Sequence, residues 1–130
     1  MKPSVFLLTA TLVLASVAQA HAQTPAQAPD AVLGKRMWIQ CRACHAAKPG
    51  EPPKAGPSLH GIFGAKAGTK TSFAYSPALK ASGIVWTDRT MDDFIASPAK
   101  AVKGNRMGYA GMPNARNRAA LIAFMKAETQ

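Results

Sequence analysis

The chain has 130 residues, enough for one small domain, and a domain of that size is marginal in the surface it can bury. Lys and Arg outnumber Asp and Glu by 16 to 6, giving a formal charge of +10, but the basic residues are scattered from Lys35 to Lys126 rather than packed in a run. Such a distribution reads as a solvated positive surface that steers toward acidic partners, and argues against a nucleic-acid face, which would want stacked aromatics in a basic strand pattern.

The first residues read as an export signal. Lys2 supplies the positive start, Val5 to Val17 the apolar run, and Ala18-Gln19-Ala20 or Ala20-His21-Ala22 the small-residue cleavage site. The run is short for an uncleaved membrane anchor, which wants about 20 apolar residues. The expected organisation is a signal peptide over 1–22, a flexible proline-containing leader over 23–30, and a domain over 31–130. Cleavage would remove one lysine and leave a formal charge of +9.

Asp30 can cap a helix over Ala31–Arg42, in which Gly34 and Trp38 are spaced i, i+4 and share a face. Glycine in a helix costs about 1 kcal/mol relative to alanine, so its presence there points to close approach by another helix.

The helix runs into Cys41-Arg42-Ala43-Cys44-His45, which holds both cysteines of the chain. Two thiols and an adjacent imidazole in this spacing form the attachment signature of a c-type haem. Each thiol adds to one vinyl group, and the imidazole ligates the iron from below. A CxxC dithiol is the competing reading, but it expects a strand before the first cysteine. A structural zinc site wants four ligands at paired spacings, which this chain lacks. Outside the cytoplasm two free thiols would also tend to oxidise, a fate that haem attachment removes.

Residues 46–59 are rich in proline and glycine and read as a loop, continued by Gly56-Pro57-Ser58-Leu59-His60-Gly61-Ile62-Phe63-Gly64. A long loop bearing apolar side chains is odd in a small domain unless it wraps something, such as a flat apolar macrocycle. Ser76-Pro77 starts a short helix reaching about Ser82, and Thr87 starts another that Pro98 closes. Residues 99–112, with Gly104, Gly108 and Gly111, read as a second long loop. Asn114 caps a last helix carrying Leu121, Phe124 and Met125. No internal repeat and no strand ladder stand out.

These pieces, in this order, resemble the class I c-type cytochromes, the group that includes mitochondrial cytochrome c and its bacterial soluble relatives. The resemblance spans Ala31 to Glu128. It rests on Gly34 and Trp38 before the haem motif, then Gly56-Pro57-Ser58-Leu59-His60-Gly61, Phe73-Ala74-Tyr75-Ser76 and Trp86. After these come Thr90 to Pro98, Gly104-Asn105-Arg106-Met107-Gly108-Tyr109-Ala110-Gly111 and Arg118 to Phe124. It implies an all-α cytochrome c fold whose terminal helices cross, Gly34 and Trp38 meeting Leu121 and Phe124. Long loops would wrap one covalently attached haem c.

The second axial ligand has several candidates: Met37, Met91, Met107, Met112, Met125 and His60. Met37 lies too close to the haem motif to reach the other face, and Met91 and Met125 sit on helices, where they fill core. Met107 and Met112 share the glycine-rich loop, and the resemblance selects Met107. It further implies Cys41 and Cys44 as attachment points and His45 as proximal ligand, its other ring N–H held by the Pro57 carbonyl. Haem-pocket or propionate contacts would come from Pro57, Leu59, Tyr75, Trp86, Phe94 and Asn105. Three positions depart from the family: Ala65 stands where relatives have an arginine near a propionate, Phe94 where a tyrosine is common, and Asn105 where a threonine is frequent.

The implied function is a soluble, monomeric electron carrier of the bacterial envelope, exported to the periplasm and without an integral membrane segment after cleavage. Its partners would be acidic faces of redox proteins such as quinol-oxidising complexes, terminal oxidases or dehydrogenases. Lys35, Lys48, Lys54, Lys100, Lys103 and Arg106 are candidates for the docking ring. A dedicated subunit of one periplasmic oxidoreductase is the alternative. A haem peroxidase or gas-binding domain needs an open iron site and a distal acid–base group, and no distal His or Arg stands out.

Overall fold

The structure, a computed structural model, describes residues 30–130; the expected signal peptide and residues 23–29 of the leader lie outside the described residues. Among the described residues five helices follow one another: α1 (Ala31–Arg42), α2 (Pro77–Ala81), α3 (Asp88–Ala96), α4 (Pro98–Ala101) and α5 (Ala115–Glu128). Among the described residues β pairing is limited to a single antiparallel bridge between Lys66 and Val85.

The two longest helices form the frame. The Asp30 carboxylate accepts from Leu33 N at 3.0 Å and starts α1, and the side-chain Oδ1 of Asn114 accepts from Asn117 N at 3.0 Å and starts α5. Gly34 and Trp38 are the buried residues of α1, while α5 buries Ala120, Leu121, Ile122 and Met125. A Cβ at position 34 would overlap the Ala120 carbonyl oxygen and lie 2.8 Å from Phe124 Cβ. The missing side chain of Gly34 therefore lets α1 and α5 touch, and this contact outweighs the propensity cost of glycine. Beside it the Trp38 and Phe124 rings pack 6.3 Å apart.

α3 closes the third side. Thr87 and Thr90 exchange side-chain-to-backbone hydrogen bonds at its start, and Met91, Phe94 and Ile95 face the core. Arg118 of α5 binds both carboxylate oxygens of Asp92 at 2.8 and 3.1 Å. Its remaining guanidinium nitrogen donates to the carbonyls of Met112 and Pro113. One side chain thus joins α5, α3 and the end of the second long loop.

That loop is shorter than the sequence implies. Pro98 ends α3 but also opens α4, because proline needs no amide partner at a first helical position and its fixed φ suits that place. Ser97 between the two helices is extended, as a residue before proline prefers. The first long loop is tied down at its middle by Gly61 N, which donates to the carbonyl of buried Thr129 at 2.6 Å. No helix among the described residues is long and apolar enough to cross a membrane.

Candidate haem site

The last turn of α1 delivers the motif. Cys44 N and His45 N both donate to the Cys41 carbonyl, at 3.1 and 2.9 Å, so the chain curls back as the helix ends. Lys54 Nζ reaches the carbonyls of Arg42 and His45 at 2.8 and 3.2 Å, a cation on the otherwise unpaired acceptors of a helix C-terminus. Cys41 and Cys44 are free thiols, and burial, reinforced by neighbouring Cys44, pushes Cys41 up to about 11.

His45 is fixed from three directions. Its Nδ1 donates to the Pro57 carbonyl at 2.7 Å, which places a ring proton there, so that the neutral ring keeps its lone pair on Nε2. Gly56 makes room, since a Cβ at that position would stand 2.5 Å from His45 Cε1. The flanking Gly56 N–H donates to the Cys44 carbonyl at 2.7 Å. Burial is the main cause that lowers the imidazole pKa; the Pro57 bond opposes it and the Lys54 charge adds to it. The neutral, ligating form is therefore favoured.

These groups border a predominantly apolar cavity of about 390 Å³, within the usual size of a ligand site. Cys41, Cys44, His45 and Met107 all line it, as do Pro57, Leu59, Tyr75, Trp86, Phe94 and Asn105. The structure thus brings together all ten residues singled out from the sequence. Trp86 and Phe94 meet edge to face with ring centroids 5.1 Å apart, and Phe73 and Tyr75 do so at 4.9 Å. Burial raises the Tyr75 phenol, which keeps its proton and remains a donor.

Among the other ligand candidates, Met112 is buried in the core and its N–H donates to the Ile95 carbonyl at 2.9 Å, away from the cavity. Met91 and Met125 line the cavity but are buried on α3 and α5. His60 is outside it, with a buried Nδ1 that has no partner among the described residues. Met107, 38% exposed, lies on a loop segment held by the Asn105 side chain, which accepts from Met107 N at 2.9 Å.

Sequence reasoning missed part of the rim. Tyr109 donates to Gln40 Oε1 at 3.2 Å, linking the second loop to α1, and Arg106 donates to the Tyr75 carbonyl at 3.0 Å. An aromatic two places after Met107 was the visible signal for Tyr109; Gln40 gave none. Lys66, Lys70 and Arg106 also line the cavity, whereas no carboxylate does. Each of the six acidic residues pairs with a different cation elsewhere, leaving nine cations among the described residues without a carboxylate partner. Ala65, the position where the resemblance implies an arginine, lines the same cavity as these three cations.

The residues present fit a haem. The cavity is apolar, two thiols and a neutral imidazole border it, and Gly56 leaves the space that the imidazole occupies.

No family model matches the chain. Individual proteins do. It is 41% identical over 102 residues to cytochrome c2 of Blastochloris viridis, covering 78% of this chain and 80% of that one. Against cytochrome c of Arabidopsis thaliana it is 37% identical over 102 residues, covering 78% and 91%. Among solved structures, cytochrome cH from Methylobacterium extorquens superposes with a TM-score of 0.70 at 35% identity, covering 75% of this chain and 98% of the other. Sequence, helix order and site agree, and the chain belongs to the class I c-type cytochromes.

Proposed function

We propose that Cys41 and Cys44 carry the thioether links of the haem and that His45 and Met107 are its axial ligands. The observation that carries this reading is the shared cavity: both thiols, an imidazole whose Nδ1 is held by the Pro57 carbonyl, and one loop-borne thioether border the same apolar space. Members of the family carry one covalently attached haem c, and the chain is a mono-haem electron carrier rather than an enzyme. When bound, the iron supplies a one-electron couple, which thioether ligation biases toward the ferrous state.

The chain's own residues do the rest. The Pro57 carbonyl holds the imidazole tautomer. Trp86, Phe94 and Leu59 exclude water from the cavity, and Tyr75 has a protonated hydroxyl for a propionate. Donor and acceptor are redox proteins with acidic faces. The docking ring draws on exposed Lys35, Lys100 and Lys103, together with Arg106 at the cavity rim. Lys48 and Lys54 are partly engaged within the chain, by Glu128 and by the carbonyls of Arg42 and His45. Residues 1–22 act as a cleaved signal, 23–30 as a leader, and 31–130 as a soluble periplasmic domain, a reading that rests on Lys2, the apolar run from Val5 to Val17 and the small residues that follow it.

The test is an absorption spectrum and redox titration of protein matured in a host that attaches haem. A pigment that survives denaturation, and a ferric methionine-to-iron charge-transfer band that disappears in M107A, are expected. A band that persists in M107A would overturn the ligand assignment. Electron exchange with an acidic partner should slow as ionic strength rises; an insensitive rate would sink the docking ring.

A further inference from the structure

Asn105 lies between α4 and Met107, and the two ends of its amide hold different parts of the loop. Nδ2 donates to the carbonyl of Pro98 at 2.7 Å and to that of Val102 at 2.9 Å, while Oδ1 accepts from Met107 N at 2.9 Å. One side chain therefore ties the first residue of α4 and its C-terminal cap to the backbone of Met107. Both amide hydrogens are in use, so this group has other work than the propionate contact that its sequence position implies. A carboxylate could not donate twice, and a threonine hydroxyl has a single hydrogen.

Arg106 and Tyr109 hold the stretch on either side, through the Tyr75 carbonyl and Gln40, but among the described residues it is Asn105 whose side chain bonds the backbone of Met107 itself. Gly104 is at φ +85°, a left-handed turn at the start of the segment. We propose that Asn105 is a positioning residue for Met107: its amide keeps the loop in the arrangement that presents the thioether to the cavity, and so sets how often the sixth position opens to an outside ligand. This rests on Met107 being the axial ligand. Each lost hydrogen bond shifts a closed-to-open loop equilibrium several-fold, and an external ligand reads that shift directly as apparent affinity.

The experiment is imidazole binding to the ferric holoprotein, followed by loss of the methionine-to-iron band. N105A should raise the apparent imidazole affinity about tenfold or more, and N105T, which retains one donor, should fall between N105A and the wild type. N114A, which removes the α5 cap at the other end of the molecule, should lower the denaturation midpoint and leave imidazole affinity unchanged. If N105A fails to mature, the N105T affinity decides: wild-type affinity overturns the proposal and a raised one supports it. Equal affinities for N105A and wild type, or the same rise in N114A, overturn it while leaving Met107 as ligand. A band that survives M107A overturns the ligand assignment and this proposal together.

Discussion

The two ligand neighbourhoods are built differently. His45 sits at a helix end, among buried alanines, with its ring pinned by the Pro57 carbonyl, its space carved by Gly56, and the carbonyls of Arg42 and His45 held by Lys54. Met107 sits on a loop held by side-chain hydrogen bonds, from Asn105 on its own N–H and from Arg106 and Tyr109 on either side. The first arrangement fixes atoms through packing, the second through a few hydrogen bonds. The lesson is that one axial position is set by the fold, while the other is set by a local equilibrium that a single residue can move.

The largest break should come from removing the group that both neighbourhoods share. The double change C41A/C44A should give no covalently bound pigment, and far-ultraviolet circular dichroism should show most of the helix lost, since the site's apolar lining then has no centre to close on. A helical signal equal to that of the holoprotein would mean that the protein core suffices alone.

Next in size is a glycine comparison. G56A forces a methyl into the His45 ring and should cost about 1–3 kcal/mol, seen as a lower denaturation midpoint. G108A, whose added methyl meets no protein atom within 4 Å on the Met107 side, should cost less than G56A. Equal effects would erase the contrast between the two sides.

Smaller still is Y109F. It removes the hydroxyl that donates to Gln40, and a single partly exposed hydrogen bond is worth about 1 kcal/mol or less. The expected result is a rise of a few-fold in imidazole affinity with little change in denaturation midpoint.

The weakest effect is one of pH. Burial raises the Tyr75 and Tyr109 phenols above the ordinary value, with the Cys41 thiol adding to Tyr109. Both states are neutral well below about pH 10, and above it the unfolded chain ionises first. Stability is therefore intact on the acid side and falls as pH rises through that window. In Y75F the alkaline fall in the denaturation midpoint should be shallower.

Much of this was legible in the chain. Asp30, Ser76, Thr87 and Asn114 are short polar residues that cap helices locally, and all four do so here. The i, i+4 pair Gly34 and Trp38 announced a helix contact before α5 was placed. What escaped was of two kinds. α4 was hidden because Pro98 ends one helix and begins the next, and a proline signals both. Tyr109 and Gln40 meet from positions 69 apart in sequence, a pairing that only the folded path creates. The Asn105 amide points at carbonyls of α4 and its C-terminal cap, and backbone direction is not written in residue identity.

The seam between α1 and α5 has one more effect. It closes residues 43–114 into a ring, and nearly all of the cavity lining lies on that ring or on the two helices that seal it. Joining the ends of a flexible loop of about 70 residues costs roughly 4 kcal/mol in chain entropy beyond a constant. Once the seam parts, that freedom returns and the loops bearing His45 and Met107 lose the closure that fixes their separation. Site and seam should thus melt as one transition, with haem-region and helix signals losing amplitude at the same temperature.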